Sequence, residues 1–142
     1  MKPEYNPNGT PRYTSIHYDD VKAFTVAMGQ PVGEDIEDEA NSDLMYLRQE
    51  LITEEANELY DELPYYKDGP LDKAALTKEL ADLLYVTYGM AVTFGLPIDE
   101  VFERVHRSNM SKLGDDGKPI YREDGKVLKG PNYEKPNLDD LF

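Results

Sequence analysis

The sequence predicts an all-α fold: a four-helix core with a short N-terminal arm and a turn-rich C-terminal tail, all in one domain spanning residues 1–142. Three observations carry this. Apolar residues recur at three- and four-residue spacing in four blocks between residues 15 and 113. Glycine, proline or short polar capping residues bound those blocks. Strand chemistry is confined to one short stretch, "PIYREDGKVLK", in the tail.

Residues 1–14 are rich in Pro, Asn and Gly and read as a loose arm. Val21, Phe24 and Met28 mark a short amphipathic helix over about 15–28, stopped by Gly29 and Pro31. An acidic linker, "GEDIEDEANSD", follows. The second helix runs from about Asp43 to Leu63, with Asn41, Ser42 or Asp43 as N-cap and Pro64 as terminator. The third runs from about Leu71 to Phe94 and ends at Gly95 and Pro97. It is apolar nearly all round, which predicts a central position. The fourth starts near Asp99 and runs to about Leu113; its early acids suit the positive end of a helix. Residues 114–142 form the tail, in which Asp124-Gly125 predicts the turn of a small hairpin.

Bulk composition narrows the function. Twenty-nine acidic and 15 basic residues leave a net charge of −14. Such a surface repels nucleic acid and anionic membrane but suits divalent cations. With no cysteine, disulfides, zinc–thiolate sites and cysteine nucleophiles are excluded, and a cytoplasmic setting is expected. The longest charge-free stretch, Leu83–Ile98, is too short and too polar to span a bilayer.

The chemistry lies in acids that fall on apolar helix faces. On a wheel of the second helix, Leu44, Leu47, Leu51, Ile52, Ala56, Leu59 and Leu63 fill one half of the circle. Glu58 falls between Leu47 and Leu51, and Glu55 between Leu51 and Leu59, with Glu54 at the edge. Arg48 and Glu62 share this arc, so on this helix alone a crowded acidic surface explains the pattern equally well. The third helix weighs against that. Glu79 and Asp82 are the only acids between Asp72 and Asp99; Lys78 precedes them and nothing basic follows before Arg104, so ion pairing within the helix is expected to be scarce. Two helices therefore each direct an acid pair inward at i, i+3, and antiparallel packing would bring the pairs face to face. Four carboxylates at one point need cations, and oxygen-only ligands select Mg²⁺ or Mn²⁺. A single Glu103-x-x-His106 match to the di-iron pattern is expected to be coincidence.

The spacing E-x-x-E, some twenty residues, then E-x-x-D resembles the MazG-like all-α nucleoside triphosphate pyrophosphohydrolases, which include phosphoribosyl-ATP pyrophosphohydrolase and the dimeric dUTPases. The stretches "VKAFTVAMGQPV", "LRQELITEEANEL", "KELADLLYVTYG", "VFERVHRSNMSK" and "DGKVLKGPNY" carry the resemblance over about residues 21–135. It implies a homodimer or dimer of dimers, and Mg²⁺ held by Glu55, Glu58, Glu79 and Asp82. It implies hydrolysis of a nucleoside triphosphate, dUTP or related, to the monophosphate and pyrophosphate. Glu54 matches a further family glutamate beside the metals, a ligand or the base for water. Asn109 and Lys112 match an N-x-x-K that contacts the nucleotide. Beside the resemblance, Tyr85 is placed to stack on a base, although a core role is the commoner one for such a residue. Lys126 and Lys129 belong to the basic tail: with Lys112, the last 31 residues hold six of the 15 basic groups, local positive charge suited to a polyphosphate. The competing reading is an acidic helical interaction module that binds a basic partner, which places the acids on exposed faces.

Overall fold

The computed structural model describes residues 4–6 and 8–142. Among these, four α-helices and one short 3₁₀ turn account for all the helical structure, and pairing of extended backbone is limited to two isolated bridges. The fold is all-α, as the sequence predicts. The chain divides into two compact units, residues 15–96 and residues 1–14 with 97–142.

The first unit holds α1 (Ile16–Ala27), the 3₁₀ turn Glu39–Asn41, α2 (Ser42–Glu62) and α3 (Lys73–Thr93). Ser15 caps α1 by accepting from the Tyr18 amide, and Asp72 caps α3 by accepting from the Ala75 amide. Both helices end on a left-handed glycine. Around Gly29 (φ +68°), the Gln30 amide bonds the Thr25 carbonyl and the Gly29 amide that of Val26. Around Gly95 (φ +60°), the Leu96 and Gly95 amides bond Ala91 and Val92 in the same way. These paired bonds satisfy carbonyls that the helix would leave free. Helix α2 stops where Leu63 turns extended (ψ 140°), the conformation that Pro64 imposes on the residue before it.

The pairing of α2 with α3 is antiparallel. Arg48 lies against Gly89, and two turns further along α2, Glu55 and Glu58 meet Glu79 and Asp82. The core gathers at the late end of α3, where Gly89, Ala91, Val92, Thr93 and Phe94 are buried, together with Tyr18, Val21 and Thr25 of α1. Buried threonines satisfy themselves: Thr25 and Thr93 donate to the carbonyls four residues back, at 2.8 Å each. The loop after α1 closes this end, with the Gly33 and Glu34 amides bonding the Val92 and Thr93 carbonyls. Helix α3 is thus central only over its last turns. Its earlier half leaves Leu80 and Leu84 half exposed, so an apolar surface all round did not mean burial all round within one chain.

Arg48 is the second departure. It is 6% exposed, donates to Gln30 at 3.1 Å, and its Nε has no partner among the described residues. A Cβ at position 89 would come within 3.2 Å of its guanidinium, so Gly89 makes the room.

The second unit holds α4 (Ile98–Met110), the arm and the tail. The described part of the arm is held in place. Asn6 is buried and donates to both carboxylate oxygens of Glu100, at 3.0 and 3.2 Å, while the Tyr13 amide bonds the same group. A polar, proline-rich composition suggested looseness, whereas the Asn6 side chain and the Tyr13 backbone amide both bond the Glu100 carboxylate. In the tail, Tyr121 and Val127 form the expected antiparallel bridge. The turn is one residue earlier than Asp124-Gly125 alone would give. The Gly125 amide bonds the Arg122 carbonyl, so Glu123 and Asp124 are its centre and Gly125 (φ +84°) follows as the left-handed residue. Gly130 fixes the tail to the end of α4. Its amide donates to the Lys112 carbonyl at 2.9 Å, and a Cβ there would lie 2.6 Å from the Leu113 carbonyl oxygen. Among the described residues, no single helix is long and apolar enough to cross a membrane.

Candidate metal centre

Glu55 and Glu58 lie one turn apart on α2, and Glu79 and Asp82 one turn apart on α3. Because the two helices run antiparallel, the pairs meet across the seam. One carboxylate oxygen from each of the four residues lies within 4.8 Å of the others. Glu55, Glu79 and Asp82 are half-buried, and Glu58 is exposed. The cluster sits where α2 and α3 are thinly covered, away from the buried end of the unit.

Its electrostatics are lopsided. Lys78, which the sequence reading discounted, bonds Glu79 at 3.2 Å and Asp82 at 2.7 Å. The expectation of scarce ion pairing within this helix is therefore corrected. A lysine at i and an acid at i+4 share a helix face, and that spacing was the overlooked signal. The two acids raise the pKa of Lys78 and keep it charged. Glu55 has no such help. Burial, then Glu58, Asp82 and Glu79, push its carboxyl above the ordinary value. One lysine facing four carboxylates leaves most of the negative charge uncompensated.

Two carboxylate oxygens have no hydrogen-bond donor among the described residues and are buried: Oε2 of Glu55 and Oε2 of Glu79. A buried carboxylate oxygen with no donor is costly unless a cation takes it. Oxygen donors alone, at this spacing, with two of them unsatisfied, fit a hard divalent cation.

The remaining expected residues are placed as follows. Glu54 is exposed on α2, beside the cluster in sequence. Tyr85, one turn beyond Asp82 on α3, is 41% exposed and meets Phe24 edge-on at 5.7 Å. In the second unit, Lys112 donates to the Asn109 carboxamide oxygen at 2.9 Å. Lys126 is exposed beside the hairpin turn, and the Lys129 ammonium lies 4.5 Å from the centre of the Tyr133 ring.

Residues 21–109 match the sequence profile of the family described as phosphoribosyl-ATP pyrophosphohydrolase. The chain belongs to this family. The match includes all four clustered acids and Asn109, and stops before Lys112 and the tail. It bears out the MazG-like resemblance read from the sequence. Uncharacterized protein L479 of Acanthamoeba polyphaga mimivirus is 31% identical over an alignment covering 51% of this chain and 44% of that protein, so the chain spans under half the length of that relative. A solved structure of a candidate NTP pyrophosphohydrolase from Exiguobacterium sp. 255-15 aligns over 87% of this chain and 90% of its own, at 22% identity and a TM-score of 0.44.

Proposed function

We propose that this pyrophosphohydrolase-family chain hydrolyses a nucleoside triphosphate, dUTP or a related nucleotide, to the monophosphate and pyrophosphate with the help of Mg²⁺ or Mn²⁺. The observation that carries the reading is the four-acid cluster, with two buried carboxylate oxygens that no donor satisfies. Family membership supports the reaction class.

Glu55, Glu58, Glu79 and Asp82 would hold the cation. Once bound, it supplies positive charge that offsets the phosphates and lowers the pKa of a water. Lys78 keeps Glu79 and Asp82 oriented through its two hydrogen bonds. Glu54 is the candidate base for the attacking water, because its carboxylate is exposed and next to Glu55 in sequence. Tyr85 is the candidate stacking surface for a base. Asn109 holds the Lys112 ammonium, an ordered cation for a phosphate. Lys126 and Lys129 add exposed positive charge in the tail. The half-exposed Leu80 and Leu84 of α3, with Leu47 of α2, support a second copy of the chain as the partner, giving a homodimer or a dimer of dimers.

The test is a panel of nucleoside triphosphates, assayed for pyrophosphate release with and without Mg²⁺ or Mn²⁺. At least one nucleotide should release pyrophosphate only when a divalent ion is present. Glu79→Gln should reduce that turnover by ~100-fold or more, as expected when a metal ligand is lost. Full activity of Glu79→Gln in Mg²⁺ would refute the site.

A further inference from the structure

The second unit contains a cavity of about 370 Å³ that shares no residue with the acid cluster. Arg104, Arg107, Ser108 and Ser111, a single stripe of α4 and its C-cap, form one wall. The chain from Glu134 to Asn137, with Asp140, forms the other. The walls are fixed. Ser111 Oγ donates to the Ser108 carbonyl at 2.6 Å and accepts from the Glu134 amide at 3.0 Å. Arg104 donates to the Asn137 carbonyl at 2.8 Å and grips both carboxylate oxygens of Asp140.

That fork neutralises Arg104 and Asp140 against each other. The other charged residues that line the cavity are Arg107, Lys135 and Glu134. None of these three side chains bonds to the described residues. Two uncommitted cations in one pocket stand out in a chain of net charge −14. The volume is in the range of small-molecule sites.

We propose that this cavity binds a phosphomonoester that also carries a free hydroxyl, such as a sugar phosphate. An arginine fork and a lysine together suit a phosphate dianion. Glu134 repels a bare anion and accepts a hydrogen bond from an alcohol, so it selects the hydroxyl-bearing ligand over inorganic phosphate. The proposal is independent of the hydrolytic function above.

The test is amide-resolved NMR titration of the full chain with a metal chelator present, so that no cation can recruit phosphate to the acid cluster. Ribose 5-phosphate, a nucleoside monophosphate and inorganic phosphate are the three probes. Ribose 5-phosphate should shift the amides of Arg107–Ser111 and Glu134–Asp140 saturably. Inorganic phosphate should bind more weakly. Binding of the nucleotide as well as the sugar phosphate would show that the pocket accepts the group on a larger carrier; binding of the sugar phosphate alone would restrict it to the smaller one. Arg107→Gln, an exposed change that keeps the fold, should weaken binding ~10-fold or more, and Lys135→Gln should weaken it too. Glu134→Gln should remove the preference over inorganic phosphate. No saturable shift at millimolar ribose 5-phosphate, or unchanged affinity in Arg107→Gln, overturns the site. Equal binding of inorganic phosphate by the unaltered chain overturns the role of Glu134.

Discussion

Glu55 carries the energetic tension of the acid cluster. Its carboxyl is raised above the ordinary value near 4.5 by burial and by three neighbouring acids. A raised acid costs stability only when it ionises. The metal-free fold is therefore free of this cost at low pH and loses stability as pH rises through the folded-state pKa of Glu55. Glu55→Gln should melt higher than the parent protein at pH 7 without metal, on the order of 1–3 °C for a chain of this size. The gap should close as pH falls and Glu55 protonates. Calorimetry across pH 4–8 in chelator checks this, and a constant gap would contradict it. Asp82→Asn should show no such gain, because it removes the 2.7 Å ion pair with Lys78 along with the repulsion. With Mn²⁺ added, the order should reverse: the parent protein rises with metal concentration and Glu55→Gln hardly responds.

Between elements, two contacts are decisive. The first is Gly130 against the end of α4. A methyl group there would lie 2.6 and 2.7 Å from two carbonyl oxygens, neither of which is free to rotate away. Gly130→Ala should therefore detach or shift the tail, at a cost of ~1–3 kcal/mol, and speed proteolysis of residues beyond 130 while α1–α3 stay protected. Equal cleavage rates in the two proteins would count against this contact. The second is the unfinished surface of α3. Leu80 and Leu84 are each 50% exposed and Leu47 of α2 is 47% exposed. If a second copy covers them, sedimentation should give at least twice 16.2 kDa, and Leu84→Glu should lower the mass towards one chain. An active monomer would remove the dimer from the proposal.

For the whole molecule, the question is which bond breaks. The chain has no G-x-x-x-x-G-K-[ST] loop, so the usual cradle for the terminal phosphates is missing. It has no cysteine, and neither of its two histidines has an evident catalytic partner for forming a phospho-enzyme. Attack by water is the reading that remains, and family membership supports the α-phosphorus as its proposed target. Hydrolysis in ¹⁸O-labelled water should place the label in the nucleoside monophosphate. Label in pyrophosphate would move the attack to the β-phosphorus, and release of orthophosphate with a nucleoside diphosphate would reject the proposed reaction.

The number of helices, the stops of the first three and the spacing of the acids are local properties, and the sequence by itself determined them. Gly29, Pro64 and Gly95 end helices because of their own backbone limits, and i, i+3 spacing puts two carboxylates on one helix face whatever the rest of the chain does. What only the tertiary structure decided is non-local. Helical periodicity does not tell which part of an apolar face a single chain covers, so the exposed early half of α3 and the buried Arg48 beside Gly89 were out of its reach. The arm composition of Asn6 and Tyr13 gave no hint of Glu100, some ninety residues away. The convergence of four acids was foreseen as a possibility of antiparallel packing. It took the pairing of α2 with α3 to bring their oxygens within 4.8 Å, because burial and register are set by contacts between segments distant in sequence.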